Sequence, residues 1–377
     1  MLTVVQMLPD LETGGVEEDT LETAAYLARN GLRSIVISSG GRMVPRLLSQ
    51  GSEHVAWRVG AKTPLTLRYF FPLRAFIARQ KVDVLHLRSR VPAWLGYLVA
   101  KTIPASRRPC VVTTFHGTYS VNFFSAIMTK GDKVISISRF ISDHIAKNYS
   151  VSPGRVELIH GGYDERVFDP AQVPAQEVLQ LKKQWGVEGD PGPIIMLAAR
   201  LTGWKGHQPF IAALSQIKDL AWTALCVGDP AENPDYAAQL EQMVSQNGLE
   251  GRVRFVGHCS RMPAAYLASD VAVSSSIEPE AFGRVAVEAQ AMGVPVAATA
   301  IGGSLETVVP GKTGWLFPYD DVGAFAAALA DAVSNPEKRK TMGRQAGEWV
   351  KEHFTMERMC RATVGLYENL LAQRGRR

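Results

Sequence analysis

The sequence predicts an α/β protein built from two doubly wound, Rossmann-like domains facing a cleft. Three observations carry that expectation. Short β-branched, apolar runs alternate with helical periods along the chain, the pattern of repeated βαβ units. Several of these runs are apolar on both faces, as buried parallel strands are. The alternation then restarts after YDERVFDPAQVPAQEV (163–178), a stretch rich in proline and charge that reads as a linker between two arrays. A chain of 377 residues suits two cores better than one.

In the first half the expected strands are LTVVQML (2–8), RSIVISS (33–39), HVAWRV (54–59), VDVLHL (82–87), CVVTTFH (110–116), KVISIS (133–138) and VELIHG (156–161). The first helix begins near Val16, runs through LETAAYLARNG and stops on Gly31, a glycine stop. The second half supplies PIIMLAA (193–199), TALCVG (223–228), VRFVG (253–257), VAVSSS (271–276) and PVAATA (295–300). From Asn335 onward the apolar residues keep helical spacing, and RGRR closes the chain as a basic terminus. The expected divisions are 1–170, 171–354 and a C-terminal helix over 355–377 that packs back on the first domain.

Composition narrows the function. The chain is 46% hydrophobic and 20% charged, which fits a soluble globular protein. Cys110, Cys226, Cys259 and Cys360 lie far apart without a CxxC pair, against a zinc site or disulfide framework and in keeping with a reducing compartment. The start, MLTVVQMLPD, reads as a strand and not a signal peptide. No apolar run approaches the roughly 20 residues of a membrane span. The expected location is cytoplasmic, with a peripheral place on the inner membrane face as an option. The net charge of +5 is uneven: residues 1–170 hold 21 Lys and Arg against 14 Asp and Glu, residues 171–377 hold 20 against 22. Between Arg29 and Lys147 there are 19 basic residues and four acids. Such a field attracts a phosphorylated substrate, a lipid head group or nucleic acid, and no nucleic-acid module accompanies it.

The chemistry concentrates in EPEAFGRVAVEAQAMG (278–293). Glu280 falls in a strand-to-helix loop and Glu288 about a turn and a half into the helix. In an open parallel sheet such loops hold ligands. The helix N-terminus at Phe282-Gly283 offers amides to an anion, and two carboxylates flank it, each able to accept from hydroxyl pairs. A diphosphate between two polyhydroxylated sugars, a nucleotide sugar, satisfies all three features.

EAFGRVAVE resembles the E-x7-E signature of the retaining glycosyltransferases of family 4, which have the GT-B fold. GGSLETVVPGKTGWLF (302–317) is similar to the family's GG-x-x-E segment, AARLTGWKGH (198–207) to its R-x-x-x-x-KG element, LETGGVEE (11–18) to its N-terminal glycine loop and TTFHG (113–117) to its HG loop. VGD (227–229) and VRFVGH (253–258) fit between them. The resemblance implies that Glu280 holds the transferred sugar, Glu288 accepts from the ribose, Arg200 and Lys205 clamp the diphosphate with the Phe282-Gly283 amides, Gly14 and Gly15 pack at the diphosphate or acceptor, and His116 touches the donor sugar. Gly228 and Gly257 are expected at the base. It further implies front-face transfer with retention, the leaving phosphate taking the acceptor's proton, and no cofactor or metal. His86, His144, His207 and His258 show no metal spacing together, and His160 reads as structural. The family often has N-G-x-D after the last strand of its first domain; here it is Gly161-Gly162-Tyr163-Asp164, so the Asn contact is lost.

In enzymes of this kind the first domain takes the acceptor, and here it carries the basic stretch. LRYFFPLRAFIARQK (67–81) interleaves cations with aromatics, VAKTIPASRRP (99–109) adds three more, and HLRSRVPAW (86–94) places Arg88 and Arg90 at a strand's end. The expected acceptor is anionic and lipid-linked, a lipopolysaccharide core or another cell-envelope glycan, with a membrane surface as a further partner. The competing readings are another GT-B enzyme (a nucleotide-sugar epimerase or a synthase) and a catalytically silent scaffold. An oxidoreductase is disfavoured because ETGGVEE lacks G-x-G-x-x-G.

Overall fold

A computed structural model describes residues 1–375; Arg376 and Arg377 of the basic terminus lie outside them. The chain divides into two compact units, one of residues 1–162 together with the chain from Met356, the other Tyr163–Thr355.

The first unit holds seven parallel strands: β1 (Thr3–Met7), β2 (Arg33–Ser38), β3 (Glu53–Ala56), β4 (Val84–Leu87), β5 (Cys110–Phe115), β6 (Lys133–Ser136) and β7 (Val156–Leu158), in the order β3-β2-β1-β4-β5-β6-β7. Every residue of β1, β4 and β5 is buried, so these runs are apolar on both faces apart from Thr3, Gln6, His86, Thr113 and Thr114, which are buried with them. Strand parity decides what each side chain meets. Leu85 and Leu87 press on the helix Arg90–Lys101, where a Cβ at Gly96 would collide with both. Val84 instead joins a cluster with Val4, Val112, Ile135 and the Met356–Gln373 helix on the opposite face. His86 follows the same parity: its ring nitrogens bond Tyr367 Oη and Thr114 Oγ1, both at 2.6 Å. It is a satisfied core histidine.

The second unit holds β8 (Ile194–Ala198), β9 (Thr223–Val227), β10 (Val253–Gly257), β11 (Val271–Ser274), β12 (Val296–Thr299) and β13 (Gly314–Phe317) in the order β10-β9-β8-β11-β12-β13, all parallel. Both sheets therefore share one winding: two strands outward on one side of the first strand, then a jump across it to the other side.

Three details refine the expectations. β13 was not among the expected strands; it lies inside the GGSLE…GWLF segment, where glycines dilute the apolar signal. The helical tail is two helices, Pro336–His353 and Met356–Gln373. They part at Phe354-Thr355, where Phe354 O accepts from Tyr163 N at 2.9 Å and Thr355 bridges Tyr163. Apolar spacing runs straight through this break, which falls where the C-terminal helix over 355–377 is expected to begin. The 163–178 stretch is structured as well: Asp164 accepts from the amide and guanidinium of Arg166, and a helix starts at Ala175. The four cysteines are free, and no helix among the described residues is long and apolar enough to cross a membrane.

Candidate functional site

Ligands of open parallel sheets sit beyond the carboxyl ends of the strands, where the strand order reverses. In the second unit that point lies between β8 and β11. The loops leaving these two strands carry Arg200 and Lys205 on one side and Glu280 on the other, and the structure brings Lys205 and Glu280 together. Lys205 Nζ lies 2.5 Å from Glu280 Oε1, which also accepts from Ser276 Oγ at 2.8 Å. The ammonium sits over the Trp204 ring, 4.1 Å from its centroid, a cation–π contact that holds its direction. Ser275 Oγ donates to the carbonyls of Lys205 and Gly206, tying the two loops.

The glutamate loop is shaped by glycine. Gly283 has φ 87° and precedes the helix Arg284–Ala291. A Cβ there would make only an ordinary contact, 3.9 Å from Thr307 Oγ1, so the requirement is for the left-handed backbone and not for room. Behind it, Gly302 and Gly303 lie so close to the Glu280 and Phe282 backbones that a Cβ on either would approach within 2.5 Å, and Gly303 N donates to Glu280 O at 2.8 Å. The GG pair thus fixes the main chain that carries Glu280. Phe282 is buried with its ring edge-on to Phe354. Its side chain anchors the loop, and only its backbone faces the helix N-terminus.

Glu288 stands on the same helix, its Oε1 3.4 Å from Arg284 Nε and its Oε2 3.5 Å from Tyr266 Oη. Burial and the neighbouring carboxylate push the Tyr266 hydroxyl well up, so it stays a donor. Glu288, Arg200, Gly228 and Tyr266 line a cavity of about 250 Å³, just below the usual range for small-molecule sites and sized for part of a ligand. Gly228 N donates to Gly257 O at 3.0 Å, which joins the two glycines expected at the base. The Arg200 side chain is exposed and makes no ion pair among the described residues. His207, which follows the Lys205-Gly206 turn, is fully buried with neither ring nitrogen hydrogen-bonded. Burial, with Lys205 nearby, pushes it down to about 4.

In the first unit the reversal lies between β1 and β4. Gly14 and Gly15 open the helix Gly15–Arg29 after β1 and are exposed. Arg88, expected to meet the acceptor, is 1% exposed. It pairs with Asp19 at 2.9 Å and donates to Gln6 Oε1 and Thr23 Oγ1. It is a core cation under the site and not a surface contact, because it shares the strand parity of Val84 and His86. Arg90 is half-buried, lies over the Tyr119 ring at 5.0 Å and reaches Ser125 Oγ. His116 follows β5; its side chain is 7% exposed and its Nδ1 is 3.5 Å from Asp19 Oδ2. Its Nε2 is buried without a partner. Burial pushes this ring down to about 4 against the opposing pull of Asp19. A carboxylate beside Nδ1 favours the proton there, which leaves Nε2 as an acceptor. No cluster of His, Cys, Asp or Glu able to hold a metal occurs among the described residues.

Sequence reasoning missed Asp19, Ser276, Trp204 and Tyr266. Ser276 and Trp204 adjoin motif residues. Asp19 and Tyr266 reach theirs only through packing.

The chain matches the family model of the glycosyl transferases group 1 over residues 180–349 and that of Glycosyltransferase Family 4 over residues 13–167. A crystal structure of a glycosyltransferase from Rickettsia africae ESF-5 is 32% identical, with 98% of each chain covered and a TM-score of 0.91. The N-acetyl-alpha-D-glucosaminyl L-malate synthase of Bacillus anthracis is 28% identical over 93% of this chain and 92% of its own length. Anabaena HepE in complex with UDP-glucose shares the fold at 22% identity, with 98% of this chain and 100% of that chain covered and a TM-score of 0.82.

Proposed function

The chain belongs to the family 4 glycosyltransferases, with the two Rossmann-like units of the GT-B fold, and from that premise we propose that it moves a sugar, with retention, from a nucleoside-diphosphate sugar to an anionic, lipid-linked acceptor. A lipopolysaccharide core or another cell-envelope glycan fits that description. The observation that carries the donor half is the second unit's reversal point: an exposed, unpaired Arg200 beside the Glu288 cavity, with the Lys205–Glu280 pair one loop away. Glu288 and the cavity take the nucleoside, with the ribose hydroxyls on the carboxylate. Arg200, Lys205 and the amides after Phe282 receive the diphosphate and offset the charge that grows on it as the glycosidic bond breaks. Glu280 spends Oε1 on Lys205 and Ser276, so Oε2 is the oxygen for a sugar hydroxyl. His116 accepts a further hydroxyl through Nε2.

The leaving phosphate takes the proton of the acceptor hydroxyl as the new bond forms on the same face of the sugar. The protein contributes position and fixed charge, and the reading assigns no metal or other cofactor. The acceptor half rests on the basic first unit, and the name of the Bacillus relative, an N-acetyl-alpha-D-glucosaminyl L-malate synthase, supports an anionic acceptor. A cytoplasmic enzyme peripheral to the inner membrane face fits both halves.

A thermal-shift titration with UDP, GDP, ADP and CMP, with and without EDTA, tests the donor half. The expected result is a rise with one nucleotide that EDTA leaves intact and Glu288→Ala weakens at least tenfold. No rise with any of the four overturns it.

A further inference from the structure

The exposed apolar side chains of the first unit are not scattered. Leu65, Leu67 and Phe71 stand on the 64–69 turn and the helix Phe70–Gln80, and Leu98 stands on the helix Arg90–Lys101. Val121, Phe123 and Phe124 project from the loop that follows His116. These elements form one continuous layer: the turn and the 70–80 helix pack on the 90–101 helix, which packs on the 125–129 turn. Trp94 closes the seam, with its ring 5.2 Å from Phe123 and its Nε1 donating to Phe124 O at 2.9 Å. Phe123 is 82% and Phe71 76% exposed, a large aromatic area left in water.

The charge around this layer is mostly positive. Between residues 54 and 131 the sequence has twelve Lys and Arg, of which Arg88 is buried in the core, against one acid, Asp83. That acid is half-buried and accepts from Thr3 N. At the layer's far end a groove of about 1170 Å³, which Asp83 also lines, combines Phe71, Ile77 and Ile103 with Arg74, Lys81 and Arg107. It is the larger of the two cavities described here, yet it lies at the amino ends of the strands, away from the reacting groups.

We propose that this layer is an interfacial docking face for an anionic lipid bilayer, with Phe71 and Phe123 inserted below the head groups and Arg74, Lys101 and Arg107 on their phosphates. Aromatic tips among cations are what the boundary between hydrocarbon and charged head groups selects, and an anionic leaflet is the partner for a mostly positive face. A second copy of this chain is a poor occupant, because a symmetric contact would set cation on cation. The inference rests on the lipid-linked acceptor reading, since it places that acceptor's source beside the His116 loop.

The test is co-sedimentation of the full chain with vesicles of phosphatidylcholine containing 30% phosphatidylglycerol, and with pure phosphatidylcholine, at about 20 and 150 mM salt. We expect binding to the mixed vesicles at least tenfold above the pure ones. Phe71→Ser with Phe123→Ser should cut it about tenfold at the higher salt. Arg74→Glu with Arg107→Glu should abolish it at both. Failure of the unaltered chain to pellet at low salt overturns the proposal, and so does binding that either double variant leaves intact. Nucleotide titration of the same preparations separates the two readings. Vesicle binding without nucleotide binding breaks the donor reading and keeps this one, and the reverse result keeps the donor reading alone.

Discussion

Two arginines flank the reversal points of the two sheets and do opposite work. Arg88 follows β4, the strand across the reversal from the first strand of its sheet, and Arg200 follows β8, the first strand of the other. Arg88 is buried and neutralised by Asp19, with Gln6 and Thr23 completing its shell. Arg200 is exposed, and the space in front of it is a cavity. In the first unit the protein's own groups fill the reversal point; in the second it stays open to a ligand. The same side chain is therefore a structural member in one unit and a ligand-ready charge in the other. A basic residue at a strand's carboxyl end is not by itself a contact.

Substitution should expose the contrast most sharply. Arg88→Met leaves Asp19 buried without its cation, and removing one partner of a buried pair costs about 3–5 kcal/mol. Chemical denaturation should show that loss. Arg200→Met should shift stability by no more than about 0.5 kcal/mol while lowering turnover of the nucleotide sugar about 10²–10³-fold. Equal stability losses in the two variants would erase the distinction.

Acid should next reveal what the units share. Each holds a histidine at about 4, His116 in one and His207 in the other, and His86 lies well below its usual value through burial. A histidine whose folded value is depressed binds fewer protons in the native state than in the unfolded chain. Stability is then full above about pH 6.5 and drains as pH falls toward 4, at up to about 1.4 kcal/mol per pH unit for each such ring. Melting temperature followed from pH 7.5 to 4.5 should fall on the acid side, and His207→Gln should flatten that fall. A profile level across this range would show that these rings are accessible to protons in the fold.

The smallest expected effect separates the ribose carboxylate from its support. Tyr266→Phe removes a hydroxyl 3.5 Å from Glu288. It should weaken nucleotide binding by about 1 kcal/mol, roughly fivefold, with the fold intact. Calorimetric titration would measure it, and a loss as large as that of Glu288→Ala would make Tyr266 a direct contact.

Much of this was legible before any coordinates. Runs apolar on both faces marked the strands of both sheets except β13, because a parallel strand covered on both faces is mostly apolar. The glycines around Glu280 and Glu288 marked a turn whose backbone no other residue adopts at ease. These signals are local: each depends on a few neighbouring residues and the geometry they permit. The sequence by itself therefore determined the winding of the units, the loops that carry the chemistry and the identity of their charges. Only the tertiary structure decided which of those charges face a ligand. Arg88 and Arg200 look alike in sequence, and the burial of Arg88 depends on Asp19, Gln6 and Thr23, which lie 65 to 82 residues from it along the chain. The partnership of Tyr266 with Glu288 was hidden for the same reason. Helical spacing and side-chain type are properties of a segment, whereas desolvation and pairing are properties of the assembled core.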